Sequence, residues 1–423
     1  MALKDQFKKV GGDGAQFRGV PFWSWNDKLD PAELARQVNE MAAAGLGGHF
    51  MHARKGLITG YMGPDWIRCI RAAVAASKAA GIKAWLYDED CWPSGSGGGV
   101  IPALGEEYVA KRLCWETAPP DGFKPQSRTV ATFLIKCSGS KTLEIRESEA
   151  KLAARRARPQ EQILHFYYEV PSFNHQPTYT DLLNPKAVKA FMHHTYSAYR
   201  KAVGREFAKT IPGIFTDEPQ WLRVPWSTEL SAFFKKLKGY DLLPNLPLLV
   251  YETGDFRGFR YDFWHAATEL FVASFAQQIG EWCEKRKIAF TGHFNAEDSL
   301  NSQLHNIGAA MPHYEYMQIP GIDHLQRRIG DPLLCKQVSS VAHQFGGRRV
   351  LSEMFGCSGW NVDFEELKWI AEWQFVLGID LVCQHLSLYS CKGCRKRDYP
   401  PSLHYQQPWW GDYRLLNDYF ARL

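Results

Sequence analysis

GIFTDEPQW, residues 213–221, joins a short apolar run to two carboxylates, a proline and a tryptophan. The run from Gly213 to Phe215 has the composition of a buried strand. The Asp217–Glu218 pair that follows does not suit a hydrophobic core, because burying an unpaired carboxylate is costly. The pair therefore marks either the end of a core element or the beginning of a functional site, and the other strands of the chain decide between the two.

Seven other short apolar runs share this character, and none alternates between apolar and polar residues, as expected for strands covered on both faces. Helical segments separate most of them; one starts at Asp30-Pro31 and ends at Gly45, and another starts at Asn184-Pro185. The eight predicted strands are Val20–Trp25, Gly48–Ala53, Ile82–Tyr87, Gly213–Thr216, Ile288–Gly292, His313–Gln318, Arg349–Ser352 and Asp380–Gln384. A strand followed by a helix, repeated eight times, predicts an α/β fold, the (β/α)8 or TIM barrel.

Residues 114–170 interrupt this repeat. Runs at Thr129–Ile135, Thr142–Arg146 and Leu164–Val170 are separated by turn and charged residues, which predicts a small antiparallel β insertion after the third barrel strand. We therefore expect residues 1–113 and 171–423 to form the catalytic barrel and residues 114–170 to form a β-rich insertion.

The composition excludes several classes of partner. The 423 residues are 45% hydrophobic, with a formal net charge of +5. The densest basic run, KGCRKR at 392–397, is short and is interpreted as a solvated loop, so no nucleic-acid partner is expected. Because the chain has no apolar stretch long enough for a membrane span and no secretion signal at its start, no membrane association and a cytoplasmic location are expected.

The C-terminal ends of the strands form the active site in a barrel of this kind. Acids, imidazoles, amides and aromatic residues follow nearly every predicted strand. The substrate-binding candidates are Trp25, His52, Arg54, Asp88, Glu89, Asp217, Trp221, His293, Asn295, Glu315, Gln384 and His385. Aromatic faces stack on sugar rings and polar side chains bind hydroxyl groups, so this rim predicts a carbohydrate substrate.

Two glutamates are the predicted catalytic pair. Glycosidic cleavage needs one carboxylic acid to protonate the leaving oxygen and a second carboxylate to attack the sugar or to activate water. Glu218 and Glu353 end the fourth and seventh predicted strands, which lie across the barrel mouth from each other. We expect Glu218 to be protonated and Glu353 to be ionised. The Asp88-Glu89-Asp90 cluster is an alternative source of the acid, or a site for a hard cation such as calcium.

Other motifs favour a site without a transition metal or a phosphate. His49 and His52 are three residues apart on one strand and therefore do not point to the same side. The glycines at 95 and 97–99 lack the lysine of a phosphate-binding loop. Cys391 and Cys394 lack the second ligand pair that structural zinc requires. These features predict hydrogen bonding and loop formation instead.

Six motifs resemble the α-L-rhamnosidase family 106 of glycoside hydrolases and its uncharacterised relatives. They are PFWSWN (21–26), GGHFMHARKGL (47–57), WLYDEDCWPSG (85–95), FTDEP (215–219), LSEMFG (351–356) and QHLSLYS with RKRDYPPS (384–402). The resemblance implies that Glu218 is the acid and that Glu353 is its partner carboxylate. It also implies a calcium ion near the sugar and β-rich accessory domains beyond this chain.

The resemblance leaves the role of Glu353 open between two mechanisms. Family 106 implies inversion, with Glu353 as a general base. FTDEP is also similar to the Asn-Glu-Pro motif of a clan of retaining glycosidases, in which Glu353 would be a nucleophile. Inversion is favoured because more motifs match family 106.

The function expected from the sequence is cleavage of a terminal glycosidic bond of an α-L-rhamnoside or a similar deoxy- or uronic-type sugar. Two alternatives stay open: a glycan-binding barrel without turnover, because the accessory domains are missing, and a metal-dependent TIM-barrel hydrolase that uses His49, His52 and the Asp88 cluster.

Overall fold

The computed structural model of the chain describes residues 15–138, 141–172 and 178–423. The predicted barrel residues 1–14 therefore lie outside the described residues. The strands are β1 Phe22–Trp25, β2 Gly48–Ala53, β3 Lys83–Tyr87, β4 Lys111–Ala118, β5 Thr129–Ser138, β6 Lys141–Glu147, β7 Glu161–Glu169, β8 Gly213–Asp217, β9 Pro225–Trp226, β10 Ala289–His293, β11 Ile319–His324, β12 Leu351–Met354, β13 Leu381–Gln384 and β14 Ser387–Leu388.

Helices follow most of the barrel strands. They are α1 Pro31–Ala43, α2 Pro64–Ala80, α3 Ala153–Arg156, α4 Pro185–His194, α5 Tyr196–Val203, α6 Leu230–Lys238, α7 Phe256–Phe271, α8 Gln278–Glu284, α9 Leu300–Asn306, α10 Ala310–Tyr314, α11 Leu333–Gln344, α12 Phe364–Val376 and α13 Tyr413–Arg422. A π-helical segment, Val272–Gln277, joins α7 to α8. Among the described residues, no helix combines the length and apolar character that crossing a bilayer requires.

The predicted barrel is confirmed. Its strands pair in the order β13-β12-β11-β10-β8-β3-β2-β1-β14, and each pairing is parallel. β14 follows β13 after two residues and pairs with β1, with Trp23 opposite Ser387. The eighth barrel position is therefore shared by two short strands, which nearly close the sheet.

The strand register brings acidic and imidazole side chains together. His293 lies opposite Asp217 at the ends of β10 and β8. Asp323 lies opposite Glu353 on β11 and β12. Partners in a parallel ladder point to the same face of the sheet, and in this barrel that face is the interior.

Two apolar layers surround the strands. Inside the barrel, Phe22 packs edge-to-face on Phe215 with ring centroids 4.7 Å apart, and Phe50 packs on Phe215 at 5.0 Å. Outside, Trp23 and Trp25 pack in the layer between strands and helices. The alternation along β1 therefore sends its phenylalanine inward and both of its tryptophans outward.

The predicted position of the sixth strand is wrong. Residues 313–318 contain the end of α10 rather than a strand, and β11 begins at Ile319. Pro320 lies inside β11, where it pairs opposite Gly292. A proline cannot donate to the ladder and argues against a central strand on sequence grounds, so the local sequence of residues 319–324 does not indicate this strand.

The residues between β3 and β8 form a second, antiparallel sheet. Its order is β6-β5-β7-β4-β9, so β5, β6 and β7 correspond to the three predicted insertion strands. β9 follows the barrel strand β8, and Lys111 of β4 lies opposite Trp226 of β9. The second sheet is thus connected to the chain that leaves β8. The division at residues 114–170 stays a prediction.

Candidate active site

A cavity of about 130 Å³ lies at the C-terminal ends of the barrel strands. It contains both predicted catalytic glutamates and several other charged or aromatic side chains. The lining residues are Arg54, Trp92, Asp217, Glu218, Asp323, Leu325, Glu353, Cys357, His385 and Tyr399. The cavity is well below the roughly 300–1,000 Å³ of pockets for drug-sized ligands, so its volume suits a small unit such as one sugar ring.

His293 holds the carboxylates of this cavity together. Its Nε2 atom is 3.2 Å from Asp217 Oδ1 and 4.0 Å from Asp323 Oδ2, and its Nδ1 atom is 3.6 Å from Glu353 Oε2. Burial disfavours a charged imidazole, but these three acids outweigh burial and raise the pKa of His293 well above its usual value. A buried imidazolium therefore lies at the centre of an acidic cluster.

Glu218 has the properties of a proton donor. Burial, with Asp217 and Asp323 nearby, raises the pKa of Glu218 to about 8. Asn295 Nδ2 donates to Glu218 Oε2 at 3.1 Å, while the side chain keeps partial access to the cavity. A carboxylic acid that keeps its proton at neutral pH is what a general acid requires.

Asp217 is the ionised member of the cluster. Burial opposes its charge, but the imidazolium of His293, with Nε2 3.2 Å from Oδ1, lowers the pKa of Asp217 to about 2. Tyr87 also donates to Asp217 Oδ2, at 2.6 Å. The Tyr87 ring stacks on His52 at 3.8 Å, which fixes the direction of its hydroxyl group.

The surroundings of Glu353 do not support the expectation that it is ionised. Burial, followed by the charges of Asp323 and Asp217, raises the pKa of Glu353 well above its usual value. The pKa of Asp323 is raised to about 6 by burial despite His293. Neighbouring carboxylates cannot all carry charge in one small cavity, so burial and their neighbours favour the protonated forms of Glu353 and Asp323, the Glu353–Asp323 pair.

Arg54 is fixed beside this cluster and is only 3% exposed. Its Nε atom lies 2.7 Å from Asp398 Oδ2, and its guanidinium group stacks 4.1 Å above the Trp92 ring. Nη1 is 3.1 Å from His52 Nε2, and Nη2 is 3.3 Å from His385 Nε2. Burial and the Arg54 charge lower the pKa of both histidines, so neutral imidazoles accept its N–H groups.

Several residues around the cavity have strained backbones. Five residues that follow barrel strands adopt positive φ angles without being glycine: Cys91 (64°), Glu218 (50°), Phe355 (78°), Cys357 (61°) and Tyr399 (44°). Such conformations cost of order 1 kcal/mol each and persist where the surrounding structure over-determines them. The loops around the cavity, and the backbone at Glu218, are therefore held in one conformation.

Two predicted sugar-stacking tryptophans do not line the cavity. Trp25 packs between Trp66, at 5.0 Å, and Trp23, at 5.4 Å. Trp221 packs on Phe271 at 5.8 Å and is 3% exposed. Both side chains lie in the outer apolar layer, and the aromatic walls are Trp92 and Tyr399 instead.

Asp88 and Glu89 are buried in loop-forming contacts rather than exposed in the cup. Asp88 accepts hydrogen bonds from Ser94 Oγ at 2.6 Å and from the Tyr196 hydroxyl at 2.7 Å. Glu89 accepts five backbone N–H bonds, from Asp90 and from each residue of 95–98. The positive φ angles of the glycines at 95, 97 and 98 turn these groups toward Glu89.

This arrangement predicts a large loss of stability in Glu89→Gln. An amide offers one acceptor oxygen, and its NH₂ group would face N–H donors in a fully buried site. Burial raises the pKa of Glu89 to about 8, and hydrogen bonds to charged groups contribute about 1.5–3 kcal/mol each, so at about pH 9 we expect the free energy of unfolding to fall by about 3 kcal/mol or more. Urea denaturation checks this, with the exposed Glu107→Gln as the control; equal midpoints would contradict it.

Three other predicted residues lie away from the cavity lining. Gln384 faces α13, with Nε2 3.4 Å from Asn417 Oδ1. Glu315 lies at the end of α10, where its backbone oxygen accepts from Arg348 at 2.6 Å. His49 contacts Ser77 Oγ at 2.8 Å in the outer layer, while His52 points inward. His49 and His52 therefore cannot bind one metal ion together, as the strand alternation predicts.

Sequence analysis missed three contributors to the site. Asp323 ends the run Ile319–Ile322 much as Asp217 ends its own strand, but the misplaced sixth strand concealed it. Trp92 lies in the motif WLYDEDCWPSG (85–95), which assigns it no role of its own. Tyr399 lies eleven residues past the last strand, Ser387–Leu388, where no periodic pattern points to it; only the motif RKRDYPPS marked the segment.

The acidic cluster is also the place where a cation could bind. Asp217, His293 and Glu353 bring ligand atoms within 4.8 Å of one another, as do Glu218, His293 and Asp323. Glu353 Oε2, Asp323 Oδ1 and both His293 nitrogens are buried without hydrogen-bond partners. The carboxylate oxygens fit calcium, whereas an imidazole is foreign to its all-oxygen preference. A protonated His293 supplies positive charge at the same point, so calcium stays a proposal.

Comparison with known proteins identifies the family. A family model described as alpha-L-rhamnosidase, glycoside hydrolase family 106, matches residues 174–423, which is more than half of the chain. The chain belongs to glycoside hydrolase family 106. The matched span includes β8 with Glu218, β10 with His293 and β12 with Glu353, so the acidic cluster falls within the family 106 region.

Solved structures share the fold of this family 106 chain. A rhamnosidase from Novosphingobium sp. PP1Y superposes with a TM-score of 0.72 at 14% identity, over 99% of this chain and 60% of that protein. A β-galactosidase from Halorubrum lacusprofundi gives a TM-score of 0.55 at 12% identity, over 95% and 58%. These identities establish the barrel architecture alone.

A curated relative from Formosa agariphila, named "Putative beta-glucuronidase", is 21% identical over 96% of this chain and 40% of its own length. The family 106 chain thus spans less than two thirds of the length of this relative, of the rhamnosidase and of the β-galactosidase.

Proposed function

We propose that the chain hydrolyses the glycosidic bond of a terminal, uncharged sugar, an α-L-rhamnoside or a similar deoxy sugar. The observation that carries this proposal is that Glu218 and Glu353 line one small cavity, which Trp92 and Tyr399 wall with aromatic rings. Four carboxyl groups line the same cavity, and the guanidinium group of Arg54, which also lines it, is already paired with Asp398. A uronate as the terminal sugar would meet like charges, which disfavours the uronic alternative.

In the proposed reaction Glu218 protonates the leaving oxygen. Its raised pKa and partial access to the cavity support this role. Asn295 holds one carboxyl oxygen, which leaves the other to face the substrate. As the sugar enters and displaces water, the acid becomes harder to ionise until the leaving oxygen can accept its proton.

The second carboxylate acts from the Glu353–Asp323 pair. These residues occupy opposed positions on neighbouring strands, and His293 contacts both acids. We assign Glu353 as the base that takes a proton from water, with Asp323 sharing the negative charge. The imidazolium of His293 stabilises the ionised form of the pair.

The test is a panel of nitrophenyl glycosides, measured with EDTA and with added calcium. We expect release of nitrophenol from a neutral deoxy-sugar glycoside and much less from a glucuronide. The anomer first formed, followed by NMR, separates inversion from retention. Binding of a sugar without product release would favour the glycan-binding alternative, and activity restored only by zinc would favour the metal-dependent one.

The pH dependence of kcat/KM follows from the same groups. The acid must be protonated, and burial raises the pKa of Glu218 to about 8, so activity should fall as pH rises through about 8. The base must be ionised, and burial with the charges of Asp323 and Asp217 raises the pKa of Glu353 well above its usual value, so activity should also fall on the acidic side, at a pH above the usual range of a glutamate. A bell-shaped profile is therefore expected; constant activity up to pH 10 would contradict the assignment of the acid.

A further inference from the structure

The loops on one side of the cavity form a continuous wall. Gln326 N donates to Gly356 O at 2.7 Å, and Gly359 N donates to Pro400 O at 3.0 Å. The Trp360 indole donates to Lys396 O at 3.0 Å. The loops that follow β11, β12 and β14 therefore pack together, and Leu325, Cys357 and Tyr399 from these loops line the cavity.

Three cations lie on this wall, which we call the basic rim: Arg328, Lys396 and Arg397. All three side chains are exposed. Arg328 lies close enough to Asp323 for its charge to favour a lower pKa of that carboxyl group, whereas the charge of the exposed Asp298 favours a higher one. None of the three basic side chains has a hydrogen bond or an ion pair with any residue that the structure describes, so positive charge on the basic rim is left without a protein partner.

Aromatic faces accompany the basic rim. Tyr399 is 48% exposed and Trp360 is 41% exposed. Tyr399 packs edge-to-face on Trp92 at 5.7 Å, and the Trp360 ring is fixed by its bond to Lys396. Exposed rings held in one orientation beside a sugar site suit stacking on a second sugar ring.

The inside and the mouth of the cavity thus differ in charge. Inside, acidic groups lie against the His293 imidazolium and Arg54 and leave room for about one ring, whereas the basic rim carries three exposed cations. We infer that the basic rim and its aromatic neighbours bind an anionic sugar on the leaving side of the cleaved bond, which makes the substrate a neutral terminal sugar linked to a uronate or a sulfated unit. This inference rests on the proposed glycosidase function.

Binding can be measured separately from turnover. The probes are three disaccharides with the same α-L-rhamnosyl terminus and the same linkage to glucose, to glucuronate or to a glucose sulfate ester. Titration calorimetry uses Glu218→Gln, which keeps the cavity but cannot complete hydrolysis. We expect the anionic disaccharides to bind about fivefold more tightly than the neutral one at low salt. The preference should disappear near 1 M salt, where the Debye length shrinks to about 3 Å.

Variants of the basic rim test whether its side chains cause the preference for anionic disaccharides. K396A/R397A in the Glu218→Gln background should reduce the preference to within twofold. The matched control is K201A/R205A, another exposed basic pair, which precedes β8 at the opposite end of the barrel. Equal responses to carboxylate and sulfate indicate recognition of charge alone, and a response to uronate only indicates paired contacts with Arg328 or Arg397.

The outcomes separate the two proposals. Equal affinity for neutral and anionic disaccharides overturns the inference, even if the wild-type chain cleaves nitrophenyl glycosides. An undiminished preference in K396A/R397A also overturns it. A preference that depends on the basic rim, in a chain that cleaves no glycoside of the panel, keeps the binding site and refutes the glycosidase function.

Discussion

Glu218→Gln is expected to slow the hydrolysis of glycosides with poor leaving groups by about 10²–10⁴, the usual contribution of a general acid. The amide has nearly the same shape as the carboxyl group and can still contact Asn295, but it cannot deliver a proton to the departing oxygen. Dinitrophenyl glycosides need little protonation, so they should lose far less activity. The measurement is kcat/KM across leaving groups of increasing basicity, for the wild type and the variant.

The chain provides a matched control for this substitution. Glu315→Gln makes the same chemical change at the end of α10, away from the cavity lining, and should leave the kinetics unchanged. If Glu218→Gln slowed good and poor leaving groups equally, its effect would be structural. An unchanged rate for poor leaving groups would exclude Glu218 as the acid.

Glu353→Gln should lower kcat by about a thousandfold, within the range of general-base catalysis, and the loss should not depend on the leaving group. The reason is that the base acts on water, whatever group departs. The difference in leaving-group dependence is thus diagnostic: one glutamate variant is rescued by a good leaving group and the other is not.

Asp323→Asn distinguishes the roles of the two residues in the Glu353–Asp323 pair. We expect it to lose about tenfold, because Asp323 acts on the ionisation of Glu353 rather than on water, and to shift the acidic limb of the pH profile. Activity near wild type in Glu353→Gln, together with a thousandfold loss in Asp323→Asn, would transfer the base to Asp323 and refute the present assignment.

The sequence predicts the barrel because its strands are short, buried on both faces and separated by helices with clear start and stop signals. The Asp30 side chain accepts from Ala32 N at 2.7 Å at the start of α1, and Gly81 ends α2 in a left-handed conformation. The sequence does not predict the position of the sixth strand, because local propensity and tertiary pairing disagree at Pro320. In the folded chain Pro320 lies opposite Gly292, and this pairing in the barrel makes the segment a strand.

The site is less predictable than the fold, because a residue at a strand end can face either side. Asp217, Glu218, His293 and Glu353 meet in the cavity, as their positions at strand ends indicate. Trp25, one residue past an inward-facing serine, turns outward instead. Residues such as Tyr399 reach the cavity from distant loops, and only packing between loops brings them there.

The pairing of β4 with β9 has a consequence for any attempt to reduce this protein to a minimal barrel. β9 begins seven residues after Glu218 and has its described strand partner in β4. Excising the antiparallel sheet would leave the segment that follows Glu218 without its strand partner. Shortened versions should therefore keep Lys111 and Arg112 together with the strand that supports them, or the Glu218 side chain would lose its fixed position even though every barrel strand is still present.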